Sequence, residues 1–244
     1  MCNRLEGKVA IITGSGSGIG RGIAHCFAAE GATVVINDIN LANARTVANE
    51  IKAKKGRALA IKADVTRPAE VKRMVDRVLK RFGQIDILVN NAGTGGDKSG
   101  KSRLGPPITN ITDEDWDFTF AVNVKGIFIM CKAVIPHMVS RRYGRIINIS
   151  SVAGKSPSVL IPAYSASKAA VISFTQVLST ELAAQGITVN AICPGIIWTP
   201  MWEEFARRQT ETNPRLKGLD PKTAFDAIVT QPGVRMEQKP EDIG

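Results

Sequence analysis

Apolar and polar positions fall along this chain in two repeating kinds of block. Residues 8–13 (Lys-Val-Ala-Ile-Ile-Thr) form a short β-branched run that ends in glycines, and residues 18–30 then carry Ile19, Ile23, Ala24 and Phe27 at helical spacing. The same alternation follows at once. Thr33 to Ile36 reads as a strand, 41–54 as a polar helix, 57–63 as a third strand, and 68–82 as an amphipathic helix presenting Val71, Val75, Val78, Leu79 and Phe82. Ile85 to Val89 reads as a strand, apolar apart from Asp86. The second half predicts one long helix from about Asp113 to Ser140 with Thr112 as N-cap, and a strand at 145–149. A helix from about Ala163 to Gln185, stopped by Gly186, and a strand at 187–192 complete the pattern. Buried-type strands alternating with helices imply an α/β fold, a doubly wound parallel sheet with helices on both faces.

After Pro194-Gly195 the periodicity weakens through 196–235, a stretch with Trp198, Trp202 and Phe205 expected to lie over the sheet edge as a substrate lid. Neither an internal repeat nor a linker interrupts the chain, so a single domain over 1–244 is expected. Pro240-Glu241-Asp242-Ile243-Gly244 reads as the first turn of a helix.

Composition narrows the function classes. With 44% hydrophobic and 22% charged residues, 244 residues suffice for one packed enzyme-sized domain. The net charge of +10 raises the question of nucleic acid, but the cations are scattered. The densest run, Lys52, Lys54, Lys55 and Arg57, falls where positive side chains complement a helix C-terminus, with no aromatic interleaving, so no nucleic-acid partner is expected. Cys2, Cys26, Cys131 and Cys193 show no metal-pair spacing and read as reduced thiols of a cytoplasmic protein. No apolar stretch precedes Val9 and no run of about 18 apolar residues occurs, so no membrane span is expected. His25 and His137 fall on helices away from any motif and read as structural.

Chemistry concentrates in three places. Thr13-Gly14-Ser15-Gly16-Ser17-Gly18-Ile19-Gly20 lies between the first strand and first helix, where glycines permit a tight turn and close approach of backbone to a pyrophosphate at a positive helix end. Gly14, Ser17, Gly18, Ile19 and Gly20 are the candidates to line it, in the manner of a Rossmann-type dinucleotide site. Asp38, at the end of the second strand, is placed to accept hydrogen bonds from ribose hydroxyls and to repel a 2′-phosphate, which selects NAD over NADP. Ser15, Ser17 and Asn37, expected to face that ribose, are neutral. Tyr164 and Lys168, four apart on a helix, share one face. The lysine charge is expected to favour phenolate and make Tyr164 a general acid/base, while Ser151 at a strand end offers a hydroxyl to a substrate oxygen.

Taken together, Thr-Gly-x-x-x-Gly-Ile-Gly at 13–20, Asn90-Asn91-Ala92-Gly93, Ser151 and Tyr164-x-x-x-Lys168 resemble the classical short-chain dehydrogenase/reductase family in order and spacing. The resemblance runs from about Gly7 to the end. It implies that Asp64-Val65 meets the adenine and that Asn91 and Gly93 line the cofactor. It further implies that Pro194-Gly195-x-x-x-Thr199, including Ile197, lies beside the nicotinamide. Asn123, in Val122-Asn123-Val124, matches a fourth catalytic residue that holds a water leading protons to the lysine. The expected reaction is metal-free hydride transfer between a secondary alcohol or ketone and NAD, with Tyr164 moving the proton, Ser151 steadying the oxyanion and Lys168 holding the ribose.

By the same resemblance the long helices at 113–140 and 163–185 pair subunits into a homodimer or homotetramer. Two features depart from the family pattern. The Gly/Lys/Ser-rich stretch 94–107 is long, and the family's usual final helix and glycine-ended edge strand are not supplied, so the C-terminus is expected to be incomplete. Within the family a 3-oxoacyl-thioester reductase and a polyol or hydroxyketone dehydrogenase both stay open. Outside it, a sugar-nucleotide epimerase relative and a non-catalytic dinucleotide-binding regulator are the alternatives.

Overall fold

The computed structural model describes residues 3–95, 108–159, 161–229 and 238–244. Six parallel strands, β1 (Val9–Ile12), β2 (Thr33–Asp38), β3 (Arg57–Lys62), β4 (Ile87–Asn90), β5 (Gly144–Ile149) and β6 (Ile187–Ile192), form one sheet in the order β3-β2-β1-β4-β5-β6. Alternation along a strand sends its side chains to two different cores. Val9 and Ile11 of β1 face the core shared with α3 (Pro68–Phe82), α5 (Gly126–Arg141) and α6 (Pro162–Leu182), whereas Ala10 and Ile12 face α1 (Gly18–Ala29) and α2 (Leu41–Ala53). All four β1 residues are buried, which explains why the run reads as continuously apolar rather than alternating.

Local signals set the helix ends. The Asn40 side chain accepts from the backbone N–H groups of Ala42 and Asn43 at the start of α2, and Gly83 closes α3 with φ of 75°. The sheet order reverses direction between β1 and β4, so the loops leaving these two strands diverge and open a crevice at their C-terminal ends.

Two regions refine the expectations. The single helix expected over 113–140 is three pieces: α4 (Asp113–Phe120), a π-helical turn (Ala121–Lys125) and α5. The π turn leaves hydrophobic spacing on either side intact, so periodicity does not reveal it. The whole stretch Asp113–Arg141 is long and apolar enough by length and composition to cross a membrane. Here Ile127, Met130, Val134 and Met138 are instead buried against the sheet, which accounts for the hydropathy as that of a core helix. The stretch after Pro194 contains α7 (Pro200–Thr212) and α8 (Pro221–Val229), and Pro240–Ile243 forms a 3₁₀ turn seated on α1 at Gly22 and Cys26. The expected loop at 94–107 falls outside the described residues from Gly96 onward.

Candidate active site

The glycine-rich turn is shaped by its contacts with the loop after β4. Gly14 has φ of 60°, and a Cβ there would stand 2.8 Å from Ala92 Cα. Thr13 Oγ1 accepts the N–H groups of Asn91 and Ala92 at 3.0 Å, while Asn91 Nδ2 donates to the carbonyls of Thr13 (2.9 Å) and Gly14 (3.0 Å). The Asn91 side chain therefore braces the turn from beneath. Ser17 is the N-cap of α1, yet its side chain makes no capping bond and the first helical turn carries no acid. Unpaired N–H groups at an uncapped helix start form an anion-binding end, and the glycine cradle leaves room for a pyrophosphate, so Gly14, Ser17, Gly18, Ile19 and Gly20 fit a dinucleotide.

Asp38, ending β2, reaches back to the turn: Oδ2 accepts the Gly16 N–H at 3.0 Å and Oδ1 accepts the Asn40 N–H at 2.8 Å. A Cβ on Gly16 would lie 2.6 Å from that Oδ2, so a side chain there would displace the carboxylate. Two of the three neutral neighbours do not face this position as expected. Ser15 is buried and donates to Ile12 O, and Asn37 is buried and donates to Ala63 O; only Ser17 is exposed. Asp64 Oδ1 accepts from both the N–H and the hydroxyl of Thr66, and Val65 is buried against Gly126.

A groove of about 430 Å³ runs from Gly16, Ser17 and Gly18 to Trp198, Thr199 and Pro240. Its cation, Arg21, is held by both oxygens of Glu50 at 3.0 Å, and His25 Nε2 lies 2.9 Å from the same carboxylate. His25 thus sits in an ion-pair cluster, and His137 Nε2 accepts the Ile85 N–H at 3.3 Å.

The proposed catalytic side chains converge where β5 ends and α6 begins. Ser151 follows β5; its hydroxyl oxygen accepts the Ala153 N–H at 3.1 Å, and it is near enough to the Tyr164 phenol to act on that group's pKa. Lys168 is 4% exposed, with Nζ donating to Ile149 O at 2.8 Å. Burial pushes its pKa down to about 8, because surroundings poor in water disfavour the charged ammonium. Burial raises the Tyr164 pKa, the Ser151 hydrogen bond opposes it, and Lys168 Nζ stands 5.5 Å from the phenol ring centroid. Gly93 lies directly over the lysine, since a Cβ on it would be 3.5 Å from Nζ.

Asn123 is fully buried in the π turn. Its side chain holds the Thr94 peptide from both sides, Oδ1 accepting the N–H at 2.8 Å and Nδ2 donating to the carbonyl at 2.9 Å. Nδ2 also donates to Ser167 Oγ at 3.0 Å. Neither Ser167 nor Thr94 was singled out by the sequence; the only available signal was a small hydroxyl residue one position before the lysine.

The segment after β6 forms the far wall. Pro194 O accepts the Val152 N–H at 3.0 Å, Gly195 N–H donates to Gln238 Oε1, and buried Ile197 forms an isolated parallel bridge to Gln238. Thr199 caps α7 through Oγ1 and lies against Gly18. Trp198 and Trp202 pack edge-on against Phe225, with ring centroids 4.8 and 5.9 Å away, in an aromatic core private to α7 and α8. Met201 points toward the chemistry: a Cβ on Gly95 would meet its sulfur at 3.4 Å and the Tyr164 ring at 3.9 Å.

A crevice at the sheet's switch point, a glycine cradle and a Ser-Tyr-Lys group define a dinucleotide-dependent oxidoreductase site. The short chain dehydrogenase profile matches residues 8–210, and the chain belongs to that family. It is 46% identical over 201 residues to galactitol 2-dehydrogenase of Agrobacterium fabrum (strain C58 / ATCC 33970), covering 82% of this chain and 74% of that protein. Among solved structures it resembles NAD⁺-bound xylitol dehydrogenase, with TM-score 0.87, 32% identity, and coverage of 98% and 90% of the two chains. A variant actinorhodin polyketide ketoreductase with NADPH is equally similar in fold, with TM-score 0.87, 34% identity, and coverage of 97% and 87%. The family uses a nicotinamide dinucleotide and acts on small molecules.

Proposed function

We propose that this protein is an NAD-preferring dehydrogenase that interconverts a secondary alcohol and a ketone, with Tyr164 as the proton-transfer residue. The observation that carries the reading is the convergence of Ser151, Tyr164 and Lys168 beside the glycine cradle. Asp38 supports NAD, because a carboxylate fixed against Gly16 repels a 2′-phosphate, and Arg21, the cation in the neighbouring groove, is already paired with Glu50.

The residues to hold the dinucleotide are Gly14, Ser17, Gly18, Ile19 and Gly20 at the phosphates, Asp38 at the ribose, Asp64 and Val65 at the adenine, and Asn91, Gly93, Pro194, Gly195, Ile197 and Thr199 toward the nicotinamide, with Tyr164 and Lys168 on the second ribose. When bound, the dinucleotide supplies the hydride acceptor or donor. Tyr164 Oη takes the alcohol proton in oxidation and returns it in reduction. Ser151 donates to the substrate oxygen and steadies charge as it develops there. The Lys168 ammonium favours the phenolate, and Asn123 holds the water end of the proton path.

The chain is read as one domain with 196–235 as substrate lid, acting as a cytoplasmic homodimer or homotetramer. Phe128 and Val139 of α5 and Val177 of α6 are exposed apolar residues on the helices expected to pair subunits. A second reading, reduction of a 3-oxoacyl thioester, draws on the similarity to a ketoreductase.

The test is the initial rate with NAD against NADP over secondary alcohols, polyols and 3-hydroxyacyl thioesters, in wild type and Tyr164→Phe. NAD-dependent oxidation that falls by about 10²- to 10⁴-fold in the variant, with NADH binding retained, is expected. Turnover in Tyr164→Phe at the wild-type rate would remove the tyrosine from the reaction.

A further inference from the structure

We infer that Ser167 is a positioning residue of the active site, acting as the clamp that holds the Asn123 amide and, through it, the Thr94 peptide. The inference rests on the reading of Asn123, Tyr164 and Lys168 as the reacting group's supports. Ser167 is completely buried between the two residues that bear the chemistry on α6. Its hydroxyl donates to Tyr164 O at 2.7 Å, which fixes the lone pairs, and accepts from Asn123 Nδ2 at 3.0 Å.

The consequence is a chain of contacts linking three separate elements. The first turn of α6 holds Ser167; Ser167 holds the Asn123 amide in the π turn; Asn123 holds both the N–H and the C=O of Thr94. Gly93, the neighbour of Thr94, is packed over Asn123 Oδ1 and Lys168 Nζ, at 3.3 and 3.5 Å from its Cβ position. A planar amide with one oxygen and two N–H donors can bind a peptide from both sides only in one rotation, and the second N–H selects that rotation. Without the Ser167 oxygen, that N–H is buried and unpaired, so the amide gains a reason to turn and the Thr94 wall loosens above the lysine. Ser167 touches no substrate in this scheme and acts only through Asn123.

Ser167→Ala and Ser167→Thr test it, the second keeping a hydroxyl on the same carbon. We expect Ser167→Ala to lower kcat about tenfold with the KM for NAD unchanged, and to speed amide hydrogen exchange at Thr94 about tenfold. Ser167→Thr is expected to restore both. Thr94 exchange in Ser167→Ala equal to wild type overturns the clamp, whether or not kcat has fallen. If wild type oxidises no alcohol, the proposed function fails by itself; Thr94 exchange then still decides for or against Ser167, since it needs no turnover.

Discussion

The glycine turn and the α7–α8 unit, the expected lid, are built on different principles. Around the glycine turn, position is set by polar hydrogen bonds: the Thr13 hydroxyl and the Asn91 amide tie the main chain of residues 13, 14, 91 and 92 together at 2.9 to 3.0 Å, and Gly14 has no room for a Cβ beside Ala92. In α7 and α8, position is set by apolar packing, with Ala206, Ala224, Phe225 and Val229 forming a core of their own. The core of α7 and α8 shares no residue with the two cores of the sheet, and α7 carries Met201 to within reach of Gly95.

The sharpest way to break this contrast is at Gly14. Gly14→Val would need positive φ and meet Ala92, so dinucleotide affinity should fall about a thousandfold in a fluorescence titration, with the lid untouched. Retained NADH binding would mean that the turn adapts and the backbone does not define the site. Phe225→Ala attacks the other half: removing this fully buried ring should destabilise the lid by about 3 to 5 kcal/mol. Tryptophan fluorescence should then melt before far-UV circular dichroism, while NADH affinity holds. A single shared transition would show that lid and sheet fold as one.

A third test lies between the halves. Burial holds the Lys168 pKa near 8, below the ordinary 10.5, so from pH 8 to 10.5 the unfolded chain binds the extra proton. Stability contributed by this position therefore rises with pH across that window, and the whole cost of burying the ammonium is present below pH 8. Relative to Lys168→Met, wild type should gain up to about 3 kcal/mol over the window in denaturant titrations. Equal pH slopes in the two proteins would place the lysine in a more polar setting. The smallest effect is expected from Asp38→Ala, which should narrow the ratio of NAD to NADP specificity constants by about tenfold, or 1.4 kcal/mol. An unchanged ratio would move discrimination elsewhere.

These halves also differed in how far the sequence exposed them. Strands such as Val9–Ile12 and the amphipathic α3 announce themselves because burial on a sheet or one helix face imposes a period. The glycine turn, Ser151, Tyr164 and Lys168 were legible as types at fixed spacing. Side-chain direction was not: Ser15 and Asn37 turn inward because backbone carbonyls of Ile12 and Ala63 need donors there, and nothing local encodes that demand. The π turn at Asn123 and its hold on Thr94, 29 positions away in the chain, are long-range contacts that no periodicity records.

A π turn is an α-helix with one surplus residue, so α4 and α5 would be one uninterrupted rod if a single position between Ala121 and Lys125 were lost. Such a deletion would leave composition and helix propensity almost unchanged. Because the surplus residue is taken up within one wide turn, the flanking helices would keep their faces, and what would go is the bulge that aims the Asn123 amide at Thr94.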